Sequence, residues 1–93
     1  MSKYTLVITT SFKKDTKRLK KRNYDISKLR YVVNELLDGK TLSEKYKNHS
    51  LSGNWKGYME CHIEPDWLLI YKIYDDTLIL SLTRTGTHSD VGF

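Results

Sequence analysis

The 93-residue sequence carries sixteen Lys and Arg against eleven Asp and Glu, a net charge of +5, and only 39% of it is hydrophobic. A chain this short builds one thin core without room for a large enclosed cofactor, so a single domain over residues 1–93 is expected. One cysteine, Cys61, excludes an intrachain disulfide, and no apolar run approaches the ~20 residues that span a bilayer. Tyr4 to Ile8 is too short for a signal peptide and is soon followed by lysines. The expected setting is the reducing cytoplasm, with no membrane partner.

Tyr4–Thr9 is rich in β-branched residues and reads as a short strand. From about Thr10, Phe12, Thr16 and Leu19 recur at helical spacing among lysines and arginines, predicting a basic amphipathic helix with a weak apolar seam. Asn23 and Tyr24 break it. Asp25 or Ser27 caps a second helix, in which Ile26, Leu29, Val32, Val33, Leu36 and Leu37 follow the 3.6-residue period. Gly39 stands where a left-handed closing residue belongs. Thr41 and Glu44 have capping-box spacing, which predicts one further helical turn near Leu42–Tyr46.

After His49 the period becomes two. Tyr58, Glu60, His62 and Glu64 alternate with Met59, Cys61 and Ile63, the pattern of a half-buried strand. Pro65-Asp66 turns the chain into Trp67–Tyr74, which reads as a strand covered on both faces. Asp75-Asp76 leads into Thr77–Arg84, with Leu78, Leu80 and Leu82 expected to face inward. The tail, Thr85 to Phe93, is too polar for a regular element. The fold class expected is α+β: a small antiparallel sheet in the order β-α-α-β-β-β, with two helices packed on one face.

Charge is lopsided. Residues 1–50 hold thirteen Lys/Arg and five Asp/Glu, whereas residues 51–93 hold three and six. The first half suits a polyanion, of which nucleic acid is the commonest, and Lys13, Lys14, Lys17 and Arg18 cluster on the first helix. A solvated helix face that aids solubility fits the same residues.

The three histidines, His49, His62 and His88, all follow the helical half and lie beside polar, turn-forming residues. In an antiparallel meander they can meet at one edge. Together they suit phosphodiester cleavage, because one imidazole accepts a proton while another donates one. Asp66 can orient an imidazole or act as the base, and Lys56 or Arg84 can neutralise charge on the phosphorane. RNA needs no metal for this reaction, since its 2′-hydroxyl is an internal nucleophile. A zinc site is not expected, with no Cys-x-x-Cys or His-x-x-x-His pair and Cys61 on the face opposite His62. Cys61 reads as core filler. Phe93 either stacks on a base or caps the core.

Three stretches carry a resemblance: Asn48-His49-Ser50-Leu51 with Gly53-Asn54-Trp55-Lys56-Gly57-Tyr58, then Glu60-Cys61-His62-Ile63-Glu64-Pro65-Asp66-Trp67, then Arg84-Thr85-Gly86-Thr87-His88-Ser89. In this ordered set the chain resembles the YafQ branch of the RelE/ParE toxin superfamily. The resemblance implies a type II toxin–antitoxin ribonuclease that cuts mRNA during translation on the ribosome, without metal or cofactor. It implies working residues at His49, Glu60, His62, Asp66, His88 and Phe93, with Arg84 as the strand-end arginine. Asp66 and His62 are then the base or its orienting pair, His88 is the acid, His49 and Arg84 hold the phosphate, and Phe93 stacks beside it. Glu60 stands where the family commonly has aspartate, and the tail is one residue longer before its aromatic. The implied partner is a short acidic DinJ/RelB-like antitoxin. The competing readings are a non-catalytic ParE-like or nucleic-acid- or protein-binding module and, third, a metal-dependent hydrolase using His62 with Glu64 or Asp66.

Overall fold

In the computed structural model, which describes residues 2–92, the chain runs β1 (Thr5–Ile8), α1 (Thr10–Lys21), α2 (Ile26–Leu37), β2 (His49–Ser50), β3 (Met59–Glu64), β4 (Trp67–Tyr74), β5 (Ile79–Gly86) and α3 (His88–Val91). Single 3₁₀ turns lie at Glu44–Tyr46 and Gly53–Trp55. The Thr9 hydroxyl caps α1 by accepting from Phe12 N at 3.0 Å, and Asp25 caps α2 by accepting from Ser27 N at 3.1 Å. Beyond α2, Gly39 takes φ +75°, and Gly39 N and Lys40 N donate to Leu36 O and Glu35 O. This is the six-to-one, five-to-two closure that a glycine at that position permits.

The five strands lie in the order β1-β5-β4-β3-β2. β3 to β5 form the expected antiparallel meander, the two-residue β2, which the sequence did not predict, adds to β3, and β1 pairs with β5 in parallel, Thr5 against Ile79 through Ile8 against Leu82. The sheet is therefore mixed. The helices carry the chain from β1 to the far edge, and the meander returns to β1 running in the same direction. Side-chain alternation sets which face of a strand is buried and says nothing of its direction.

Both helices cover one sheet face: Phe12, Leu19, Leu29, Val32, Val33 and Leu36 pack on Cys61, Ile63, Leu69, Tyr71, Leu80 and Leu82. The opposite face is roofed in part, because Leu68 and Ile70 pack under Val91, with Leu51, Trp55 and Tyr58 against them. β4 is thus covered on both sides, as its continuous apolar run predicts. The tail differs from expectation, since residues 88–91 form a short helix whose Val91 anchors it. Leu78 differs too. It takes φ +53° in the turn and is 47% exposed, so the inward series begins at Leu80.

A bulge between the Ile70–Arg84 and Tyr71–Leu82 pairs leaves Thr83 opposite no partner. One extra residue reverses the parity of all that follows. Thr85 is therefore buried, accepting from Trp67 Nε1 at 3.0 Å and donating to Leu68 O at 2.7 Å.

Candidate active site

Three neighbouring elements bring the histidines together. β2 sets His49 directly opposite Glu60 on β3, and His62 follows two residues along on the same face. α3 starts at His88, just past the end of β5. The His49 and His62 ring centroids are 6.3 Å apart and those of His62 and His88 are 5.9 Å apart, with His62 in the middle.

Each imidazole has its Nδ1 engaged by an oxygen: His49 by Lys47 O at 2.6 Å, His62 by Pro65 O at 3.2 Å and His88 by Asp66 Oδ1 at 2.5 Å. A main-chain carbonyl only accepts, so Nδ1 carries the proton in the first two rings. The His88 hydrogen bonds, first from the ring and then from the backbone, hold the Asp66 carboxyl below the usual carboxylate range, so it too is an acceptor near neutrality. Nε2 is therefore the second ring nitrogen that each imidazole presents. The Nε2 atoms of His49 and His62 lie 3.4 and 3.3 Å from one atom, Oε1 of the buried Glu60.

The carboxylates divide differently from the sequence expectation. Asp66 joins His88, accepting from its ring and from its backbone N–H at 3.0 Å, whereas the carboxylate beside His62 is Glu60. Asp66 is therefore the orienting partner of His88.

Arg84 faces a partner that sequence reasoning missed. Its Nε and Nη2 donate to Asp15 Oδ2 and Oδ1 at 2.7 and 3.2 Å, and Nη2 also donates to Asp90 O at 2.9 Å. Asp15 is 2% exposed and accepts from Thr85 N at 3.0 Å as well. It closes the stretch of β5 that β1 is too short to pair. The signal was present: Asp15 shares the helical phase of Phe12 and Leu19, in a helix otherwise covered with lysines. Arg84 is thus tied into a network that carries α3, and with it His88.

Asp90 belongs to that network. It forms a capping box with Thr87, donating from its amide to the Thr87 hydroxyl and accepting from Thr87 N. Arg22 reaches it at 2.8 and 3.2 Å, and Arg18 lies 3.8 Å away. The Arg22 hydrogen bonds, aided by those from Thr87, hold the Asp90 carboxyl down at about 2. Gly86 allows the approach, since a Cβ there would lie 2.8 Å from Asp90 Cβ.

Lys13, Lys14 and Lys17 are exposed along α1, while Arg18 turns toward Asp15 and Asp90. Lys56 is exposed just past the Gly53–Trp55 turn. Phe93 lies outside the described residues. Cys61 is fully buried, and burial pushes its thiol up to about 12, so it is core and no nucleophile. Among the described residues, no group of three or more His, Cys, Asp or Glu is placed to hold a metal ion, and no helix is long and apolar enough to cross a membrane.

The family model described as "Bacterial toxin of type II toxin-antitoxin system, YafQ" matches residues 4–92. The chain is 46% identical over 79 residues to the mRNA interferase toxin YafQ of Escherichia coli K12, covering 84% of each. Its fold superposes on the E. coli DinJ-YafQ toxin-antitoxin complex with a TM-score of 0.86 at 41% identity, covering 94% of each chain. A metal-bound toxin from Helicobacter pylori superposes with a TM-score of 0.89 at 40% identity, covering 95% of this chain and 98% of that one. The chain belongs to the YafQ family of type II toxin–antitoxin toxins.

Proposed function

We propose that this chain is an mRNA interferase: an endoribonuclease that cuts translated mRNA on the ribosome, in the cytoplasm, and is restrained by an acidic antitoxin. The observation that carries the reading is the set of three imidazoles within 6.3 Å of their neighbours, every one with Nδ1 engaged by an oxygen. Such a set offers several Nε2 atoms to one substrate, which transphosphorylation requires. The names of the E. coli relatives and the antitoxin complex of one of them support the same reading.

In the proposed reaction the ribose 2′-hydroxyl gives its proton to Nε2 of His62, and O2′ attacks the adjacent phosphorus. Glu60 stabilises the imidazolium that results. The P–O5′ bond breaks as His88, entering the reaction as the imidazolium with Nδ1–H on Asp66, donates its Nε2 proton to the leaving 5′-oxygen and is left neutral. His49, when protonated, offers charge to the phosphorane oxygens. The products are a 2′,3′-cyclic phosphate, which hydrolyses to a 3′-phosphate, and a 5′-hydroxyl. No metal enters. Arg84 serves this scheme through the position of α3, and base stacking remains the proposed role of Phe93.

Analysis of the RNA ends tests the reading. Fragments from programmed ribosomes are expected to carry a 2′,3′-cyclic phosphate or 3′-phosphate upstream and a 5′-hydroxyl downstream. Fragments ending in a 3′-hydroxyl and a 5′-phosphate contradict it, because they require water as the nucleophile.

A further inference from the structure

A groove of about 570 Å³ opens beside the histidine cluster, between the first turns of α2 and the 3₁₀ turn at Glu44–Tyr46. Its volume falls within the ~300–1,000 Å³ of small-ligand sites. Lys28, Tyr31, Lys45, Tyr46 and Lys47 line it, and His62 forms part of its wall. His62 also sits at the centre of the three imidazoles, so the groove and the site share a side chain.

We infer that this groove is a nucleotide subsite, taking the residue next to the scissile phosphate with its base on Tyr31 and its phosphate on Lys45 and Lys47. The inference deepens the nuclease reading and rests on it. Tyr31 lines the groove and is 56% exposed, so its ring is accessible to a ligand there. Exposed aromatic faces beside lysines are the common means of holding single-stranded RNA, because every base offers a π-face and every nucleotide a phosphate. Tyr46 is half-buried against the core and forms the floor of the lysine cluster, with Lys45 Nζ 5.0 Å from its ring centroid. The acidic Glu64 also lines the groove, but Lys28 Nζ neutralises it at 2.7 Å. Three lysines against one glutamate leave the lining net positive, which favours a polyanion over an apolar ligand.

The test is an NMR titration of the full chain with a 2′-O-methylated oligoribonucleotide, whose nucleophile is blocked. Amides at 28–31 and 45–47 are expected to shift together with that of His62. Tyr31→Ala is expected to weaken binding about tenfold, and Lys45→Gln to reduce the salt slope by about 0.7. Tyr31→Phe keeps the ring and is expected to bind as the parent does, which separates stacking from misfolding. Shifts confined to α1, or a Tyr31→Ala variant that binds as the parent does, overturn the inference. It is equally overturned if these variants lose affinity for an acidic antitoxin peptide and none for RNA. Cleavage of unmodified mRNA is read separately. A chain that binds through the groove but never cuts contradicts the nuclease reading alone, and one that cuts while Tyr31→Ala binds normally contradicts the subsite alone.

Discussion

Asp66 Oδ1 accepts two hydrogen bonds from the same residue, His88: one from its ring Nδ1 and one from its backbone N–H. A single carboxylate oxygen therefore fixes both the start of α3 and the tautomer of the ring that α3 carries. With Nδ1 held as a donor to a carboxylate, Nε2 is the atom left to exchange protons with a substrate. His88→Ala is expected to lower cleavage by about 10²–10⁴-fold. Its side chain is 46% exposed, so the urea midpoint should stay unchanged. Asp66→Asn should also lose activity without unfolding, because an amide can hold the ring in either tautomer. Full toxicity of His88→Ala in growing cells would remove it from the mechanism.

The Asp15–Arg84 pair gives a stability prediction. Asp15→Ala strands the Arg84 guanidinium and the Thr85 amide, and is expected to cost about 3 kcal/mol in urea unfolding. The two residues should be non-additive in a double-mutant cycle, with Asp15→Ala costing less once Arg84 is already alanine, the remaining cost being that of the Thr85 amide. Additive losses would show that Arg84 acts elsewhere.

Acid should loosen α3. The Asp90 carboxyl is held at about 2, against an ordinary 3.8, chiefly by Arg22. A group depressed in the folded state stabilises above its unfolded pKa, and that contribution is lost as pH falls through the folded value. Stability should therefore drop between about pH 4 and pH 2, and Asp90→Asn should flatten that part of the curve. Urea midpoints measured across this range check it. An identical pH profile for the variant would contradict it.

Much of this was legible in the residues, and what was not has physical causes. The helices and the covered central strand follow from periodicity, and the alternation of Glu60 and His62 with Cys61 puts the first pair on one face. That three histidines can gather at one edge follows from an antiparallel meander, but that they do so is seen only in the fold. Which carboxylate meets which histidine does not follow, because Asp66 finds His88 only through a four-residue helix too short to show a period. Its one sequence sign is the Thr87-x-x-Asp90 capping spacing. The parallel entry of β1 leaves no mark on side-chain alternation, and the Thr83 bulge silently reverses the parity that sends Thr85 inward.

The lysines of α1 should act through charge. Replacing Lys13, Lys14 and Lys17 with glutamine is expected to weaken ribosome association and to flatten its salt dependence by roughly 0.7–0.9 for each phosphate no longer neutralised. Arg18 should behave differently, since it faces Asp15 and Asp90, and its replacement is expected to appear in stability. An unchanged salt slope would leave the three lysines as solubilising groups.

Cleavage should be insensitive to EDTA, because every proton in the scheme moves through an imidazole. Activity lost to the chelator and restored by zinc would favour a metal-dependent hydrolase.

The most direct measurement replaces one atom in the substrate. An mRNA carrying a single 2′-deoxynucleotide on the 5′ side of the scissile phosphate is expected to engage the toxin on the ribosome and remain intact at that bond, while the all-ribose message is cut there. Cleavage of the deoxy-substituted bond at a comparable rate would show that the 2′-oxygen is not the nucleophile, and would contradict the histidine-catalysed transphosphorylation proposed for this chain.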